Sequence, residues 1–400
     1  MSKTRNVLLP IFLIVVVDVL GMTIILPLLP FYAERYGATP QVVGLLVTTY
    51  ALCQLVAGPI LGQLSDRHGR RPLLIVSQLG TFAGFLVLGF ARTLWLIFFS
   101  RFLDGITAGN LSLAQAYISD VTEPKDRAKS FGLIGIAFGI GFLIGPAISG
   151  FLSQYDYSYP AWAAAALSFT SVCCTYFLLP RAAPHAGEES GPGGKSLGVL
   201  DWGAYAQYFK RPELGRLLGT FFIFSLMFGL FLSGFALFAE RRFTTGGHPF
   251  GPKEVGYLYA YSGLLGVFIQ GGLLGRLVKK FGERRLALVG YASACLGLLG
   301  LSMARPLGAL LLVFSFTAFG NSVLRPCLTA LVTHHSYRRE QGTVLGLTQS
   351  LYSIAMIVSP LVSGWLIGVG LLAPWALLGA ALAASVFAVS SGGGAAPATA

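Results

Sequence analysis

Charge is the scarcest property of this chain. Of its 400 residues only 11% are Asp, Glu, Lys or Arg, against about 25% in a soluble domain. No polar stretch is long enough to fold alone; the longest runs over about 181–215. The five cysteines (Cys53, Cys173, Cys174, Cys295, Cys327) sit inside apolar runs. They lack metal-ligand spacing and disulfide company, so they read as small hydrophobes. There is no HExxH motif and no Walker-type nucleotide loop, and His334-His335 has no acidic companions. A metal hydrolase and an ATP-driven pump therefore have no motif to rest on. The first apolar run is too long for a signal peptide, contains Asp18 and lacks a small-residue cleavage site, so it reads as a membrane helix.

What the chain has is apolar length. It is 54% hydrophobic, with 51 glycines and 30 phenylalanines, and its mean hydropathy is +0.71. A membrane helix needs about 20 mostly apolar residues. Twelve such segments are predicted, at about 7–32, 41–64, 72–91, 94–119, 129–153, 161–180, 216–240, 253–278, 285–304, 307–333, 340–368 and 370–389. Backbone groups in hydrocarbon must be satisfied within each segment, so helices are the default. The runs do not alternate, which excludes a β-barrel. With the N-terminus inside, 20 of the 28 Lys and Arg fall in inner loops, six in outer loops, and Arg101 and Arg325 within spans. This bias places both termini in the cytoplasm. The net charge of +12 is thus a topology signal, and no nucleic-acid partner is expected.

The chain also repeats itself. Gly62-Gln63-Leu64-Ser65-Asp66-Arg67-His68-Gly69-Arg70-Arg71 returns 213 residues later as the cationic loop from Gly275 to Arg285. Gly109-Asn110 matches Gly320-Asn321, and Gly145-Pro146-Ala147-Ile148-Ser149-Gly150 matches Ser359-Pro360-Leu361-Val362-Ser363-Gly364. Internal repeats of this kind are a transporter architecture. The expected organisation is a six-helix bundle over 1–180, a linker over 181–215, a second six-helix bundle over 216–389, and a disordered tail over 390–400. Within the linker, Leu197–Phe209 is predicted to form a short helix on the inner membrane surface.

These motifs resemble the major facilitator superfamily. Gly62–Pro72 is similar to its signature loop, Arg101-Phe102-Leu103-Asp104-Gly105 to its fourth-helix arginine motif, and Gly141–Gly150 to the fifth-helix motif of antiporters. Asp18-Val19-Leu20-Gly21 and Ala51-Leu52-Cys53-Gln54 are similar to the tetracycline exporters, within the twelve-helix drug/proton antiporter branch. The resemblance implies an all-α membrane protein of two pseudo-symmetric bundles. It also implies a monomer that needs no cofactor and draws on the proton gradient. Gly84 and Gly266 stand where those exporters carry an acid and a histidine, which argues against tetracycline itself as substrate.

Four charged residues sit clearly within spans, away from their ends: Asp18, Arg101, Asp104 and Arg325. Such groups are costly in lipid and face the protein interior. Asp18, Arg101 and Asp104 are the candidates for proton coupling, because burial favours the protonated carboxyl; the alternatives are a structural carboxylate and a permanent Arg101–Asp104 pair. The superfamily places the first, fourth and tenth helices around the central cavity, so all four are expected in one pocket. Arg325 would pair with Asp18 or anchor an anionic substrate. Gln54, Asn110, Gln115, Asn321 and Gln349 are further candidate substrate ligands, or else interhelix hydrogen-bonding groups. At the inner mouth, Gly62, Asp66, Arg67, Gly69, Arg70 and Arg71 are candidate gating residues, joined by Asp120 and Arg127. Asp66 would accept either from an Arg or from the N-terminus of the eleventh segment. Gly141, Gly145, Pro146 and Gly150 supply close helix approach and a bend.

The expected function is a secondary transporter, most simply a proton-coupled exporter of an amphiphilic small molecule. An organic-anion carrier is the alternative, and a transporter-like receptor or sensor the more distant one. Short loops without an outer Asn-x-Ser/Thr site fit a bacterial inner membrane. A fluorescent reporter that matures only in the cytoplasm should glow when fused to either terminus. Periplasmic phosphatase activity from either fusion would reverse the topology.

Overall fold

The computed structural model describes residues 2–122, 127–180, 202–304, 307–336 and 341–391. Its helices are α1 (Ser2–Arg35), α2 (Pro40–His68), α3 (Arg70–Gly89), α4 (Leu94–Ile106), α5 (Asn110–Val121), α6 (Arg127–Leu152) and α7 (Tyr159–Leu178), then α8 (Trp202–Phe209) and α9 (Pro212–Arg242). There follow α10 (Pro252–Phe268), α11 (Leu274–Phe281), α12 (Glu283–Met303), α13 (Leu307–His334), α14 (Gln341–Gly368) and α15 (Leu372–Ser391). Ten helical stretches among the described residues are long and apolar enough to cross a membrane, and Leu372–Phe387 is a shorter apolar one.

The missing span is the fourth predicted segment, which is broken. Helix α4 stops at Ile106 and α5 starts at Asn110. Thr107 Oγ1 folds back onto Leu103 O at 2.9 Å. From α3, Ser77 Oγ donates to Thr107 O at 2.5 Å and accepts from Gly109 N at 2.9 Å. With the direct Gly109 N to Thr107 O hydrogen bond of 2.8 Å, this hydroxyl helps satisfy the backbone at the break, which membrane depth requires. The eighth segment is continuous but carries one wide turn, the π-helical Ile269–Leu273 between α10 and α11, at Gly271-Gly272. A two-stranded hairpin, β1 (Thr244–Thr245) and β2 (His248–Pro249), interrupts the all-α pattern after α9. Gly246 and Gly247 turn it with φ of 59° and 85°, values that favour glycine at both central positions. Of the predicted linker helix, the part within the described residues is Trp202–Phe209. Residues 181–201 and the tail 392–400 lie outside the described residues.

Helices α1–α7 pack among themselves, as do α9–α15. Two seams join the halves, α6 against α10 and α2 against α14. A Cβ on Gly256 would lie 2.5 Å from Pro146 O, and one on Gly44 would lie 2.3 Å from Pro360 O. Gly44 and Gly256 are 212 positions apart, and Pro146 and Pro360 are 214. The second seam is therefore the first with the halves exchanged. Farther along, Gly364 meets Pro40 O and Gly150 meets Lys253 O in the same way. All of these contacts lie toward the end opposite the basic loops. At the basic end a Cβ on Gly62 or Gly275 would find nothing within 4 Å, and among the described residues no ion pair joins the halves there.

Overpacking a close helix contact costs roughly 1–3 kcal/mol. Gly256→Ala should therefore lower the thermal midpoint of the detergent-solubilised protein. Gly219→Ala, whose Cβ meets nothing within 4 Å, should leave it level or raise it slightly, because alanine is the better helix former.

Candidate functional site

Asp18 sits midway along α1, facing α3 and α7. Its Oδ2 accepts from Gln78 Nε2 at 3.4 Å, and the same amide donates to Ser171 Oγ at 2.7 Å. Ser171 Oγ in turn donates to Ile14 O at 3.5 Å. Asp18 Oδ1 and Gln78 Oε1 are buried without a hydrogen-bond partner. Buried acceptors are rarely left unmet, so this carboxyl has one oxygen waiting for a hydrogen.

On α4, Arg101 and Asp104 are each 5% exposed. Nη1 of the arginine lies 3.1 Å from Asp104 Oδ2, the i to i+3 pair read from the sequence. Arg101 also stands over the Phe85 ring, with Cζ 5.6 Å from its centroid, while its Nη2 has no partner. Gly84 creates the room. A Cβ there would come within 3.0 Å of Asp104 Cβ and 3.1 Å of Ser100 O. The Asp18 and Asp104 carboxylates lie within range of each other's charge.

Arg325 is not in this cluster, contrary to expectation. It lies on α13, exposed, and among the described residues it forms no ion pair. Its guanidinium lies between two rings from different halves, 5.9 Å from Phe138 of α6 and 5.3 Å from Tyr352 of α14. The reason is geometric: three acid and base groups face the interior of the first bundle, while Arg325 faces the space between bundles. Tyr50 of α2 connects the two regions. It accepts from Gln54 Nε2 at 3.2 Å, and it lies within electrostatic reach of Asp104, Arg101 and Tyr352. Phe138, Tyr50 and Tyr352 carry no polar signal that sets them apart in an aromatic-rich sequence, and they went unpredicted. Gln78 and Ser171 were missed for a different reason, since both sit in ordinary membrane segments and acquire meaning only opposite Asp18.

The other polar candidates separate. Gln54, Gln115 and Gln349 are exposed. Asn110 Nδ2 reaches Thr81 Oγ1 at 3.5 Å, and its Oδ1 is buried and unmet. Asn321 instead faces a small void inside the second half, beside Met227, Phe231 and Leu298. Its helix turns that residue toward α9 and α12. An apolar groove between α12 and α13, lined by Leu296, Leu312 and Phe316, holds no ionisable group and does not compete as the site.

At the basic end, Arg70 binds Asp66 Oδ1 at 2.5 Å, Asp120 Oδ2 at 2.9 Å and Ser65 Oγ at 2.6 Å. Arg71 donates to Thr175 O at 3.3 Å and to Tyr176 O. Gly69 turns the chain between α2 and α3 with φ of 92°. Arg67 is exposed, and the Arg127 side chain lies outside the described residues. Of the two partners considered for Asp66, the arginine is present; among the described residues no bond joins Asp66 to the start of α14. The glycines of α6 do as expected. A Cβ on Gly141 would strike Val19 Cγ1 at 2.5 Å, one on Gly145 would strike Thr23 Oγ1 at 2.1 Å, and Gly150 meets α10. Thr23 Oγ1 donates to Gly141 O at 2.9 Å. Gly266, on α10, has Ser322 Oγ at 3.3 Å from a built Cβ, with no acidic group in that place.

The sequence matches the profile of the Major Facilitator Superfamily over residues 11–360 and again over 265–393. The chain belongs to that superfamily. It is a multi-pass membrane transporter and not an enzyme. It is 29% identical to the class C tetracycline resistance protein of Escherichia coli over 363 residues, 90% of this chain and 89% of that one. It is 28% identical to multidrug resistance protein 2 of Bacillus subtilis (strain 168) over 392 residues, 95% and 94% of the two chains. The fold superimposes on the human organic anion transporter MFSD10 (TETRAN) with a TM-score of 0.72 at 23% identity, covering 97% of this chain and 100% of that one.

Breaking a buried ion pair by removing one partner costs roughly 3–5 kcal/mol, because the other charge is stranded. Arg101→Ala should therefore destabilise this transporter strongly in thermal-shift assays. The double variant Arg101→Ala/Asp104→Ala should recover much of that loss. Equal losses in the single and double variants would show that the pair is not coupled.

Proposed function

We propose that this transporter exports amphiphilic small molecules in exchange for protons, by alternating access, from a bacterial inner membrane with its basic end and both termini in the cytoplasm. The observation that carries this reading is Asp18, an acid inside the first bundle whose buried Oδ1 lacks a donor. A proton on that oxygen supplies the donor and removes an ion from low dielectric. Asp104 adds a second negative charge nearby, held by Arg101. Tyr50 lies between this pair and the rings of the central space, a route by which an occupant there alters the charges around Asp18.

In this reading the structure is the state open to the cytoplasm. Substrate enters between the halves at the basic end and meets Gln54, Tyr50, Phe138, Tyr352 and Arg325. Closing that end brings the Asp66–Arg70–Asp120 network toward α14, while the seams at Gly44 and Gly256 part. The substrate is an amphiphile because the lining is aromatic with few polar groups. Protons rather than sodium are favoured because neither Asp18 nor Asp104 sits in an oxygen-rich cage. The working unit is taken as a monomer in the bilayer, with no cofactor beyond the proton gradient. Relatedness to tetracycline and multidrug resistance proteins supports export. The linker and the two six-helix domains over 1–180 and 216–389 belong to the same proposal.

A second reading has one observation in its favour. Arg325 is an exposed guanidinium without a carboxylate partner among the described residues, flanked by rings. That arrangement suits the carboxylate of a planar organic anion. Proteoliposomes separate the readings. Asp18→Asn should reduce uptake of a lipophilic cation driven by a pH gradient at least tenfold, while leaving energy-independent counterflow intact. Trans-acceleration by aromatic acids that is lost in Arg325→Ala would instead establish the anion carrier. Full gradient-driven transport by Asp18→Asn would remove Asp18 from coupling.

A further inference from the structure

The end opposite the basic loops carries a second charged cluster, which the transport reading does not use. Glu34 ends α1 in the first half, and Glu240 and Arg241 end α9 in the second. Arg241 Nη2 lies 2.5 Å from Glu34 Oε1, and its Nη1 lies 3.0 Å from Glu240 Oε2. The two terminal nitrogens of one guanidinium therefore hold two different carboxyl groups side by side. Among the described residues, Glu34–Arg241 is the ion pair that crosses from one half to the other.

Among the described residues no cation other than Arg241 pairs with these two acids. Arg35 is engaged by Asp156 at 3.7 Å and by the Tyr157 ring at 5.4 Å. Asp156 accepts from Ser158 N at 2.8 Å; that backbone hydrogen bond, with Arg35 beside it, holds its carboxyl below the usual carboxylate range. Asp156 therefore stays ionised and is not the group that titrates. On α10, Glu254 adds negative charge, its Oε2 accepting from Gly251 N at 2.9 Å, and Lys253 is exposed. Arg242 is exposed, and like Lys253 it makes no ion pair among the described residues. With both Glu34 and Glu240 ionised, the triad with Arg241 is one negative charge in excess at the place where the halves touch. One proton makes it neutral and turns carboxylate repulsion into a carboxyl-to-carboxylate hydrogen bond.

We propose that Glu34 and Glu240 share a single proton across the junction of the two halves, and that binding this proton locks that end of the transporter shut. This site is distinct from Asp18 and opens to the opposite solvent. The sign follows directly. The closed form binds the proton and the open form, with the acids separated, releases it, so closure increases as pH falls. The inference rests on alternating access.

The test is a spin-label distance measurement in lipid nanodiscs, in a background with the native cysteines replaced. Arg92→Cys/Thr245→Cys reports the junction end, and Gln63→Cys/Lys280→Cys reports the basic end; all four positions are exposed. Between pH 5 and 9 the short junction-end distance should gain population as pH falls, by up to about tenfold in the closed-to-open ratio per pH unit for one linked proton. Glu240→Gln, a neutral hydrogen-bonding mimic of the protonated acid, should stay closed across the range with unchanged helical circular dichroism. A wild-type junction insensitive to pH, or a Glu240→Gln variant with the wild-type slope, overturns the shared proton. Basic-end distances that still respond to a lipophilic cation would then show alternating access intact. If neither label pair ever changes, alternating access fails and the inference falls with it.

Discussion

Two backbone-to-backbone approaches, Gly44 on Pro360 and Gly256 on Pro146, determine how everything else in this molecule is arranged. Lipid provides no hydrophobic drive between helices, so close approach must come from small residues and dispersion. Because the approaches occur only toward one end, the halves diverge toward the other. That divergence leaves Gly62 and Gly275 in open space and opens the region that Arg325, Phe138 and Tyr352 surround. The two seams are equivalent under exchange of the repeats, so neither half is a passive scaffold for the other.

The charged groups are distributed unevenly over this symmetric frame. The first half holds the buried acids and the Arg101–Asp104 pair, while the second contributes an arginine exposed to the space between. At the basic end Asp66 has its latch partners within its own half, whereas the equivalent position in the repeat is Lys279. The packing is symmetric between the halves and the chemistry is not.

Much of this was legible in the sequence because it is local or repeated. Span positions followed from apolar length, and the halves from the constant offset between the two basic loops. The Arg101–Asp104 pair followed from helical spacing. Other features depend on partners that no local pattern encodes. The break at Thr107 is supported by Ser77, 30 residues upstream. Arg325 finds its rings on α6 and α14, which proximity in sequence does not reveal. Asn321 sits on the helix face turned into its own bundle, a rotation that a polar residue in an apolar run does not announce. The pairing of Asp66 with Arg70 is local, at i to i+4, yet nothing in the sequence ranks it above the start of the eleventh segment. Glu34 and Arg241 are 207 positions apart; the loop count of Lys and Arg includes Arg241 and leaves Glu34 out.

Gly84 bears on what this transporter can become. A side chain at that position meets Asp104 and the backbone of Ser100 before it reaches any open volume. A carboxylate placed there would stand directly against Asp104, adding like charge where there is no room for it. It requires α3 and α4 to separate first, and their separation undoes the shelter around Arg101. Glycine at this position is thus the condition for the close α3–α4 contact, and any larger residue gains its volume at the expense of that contact.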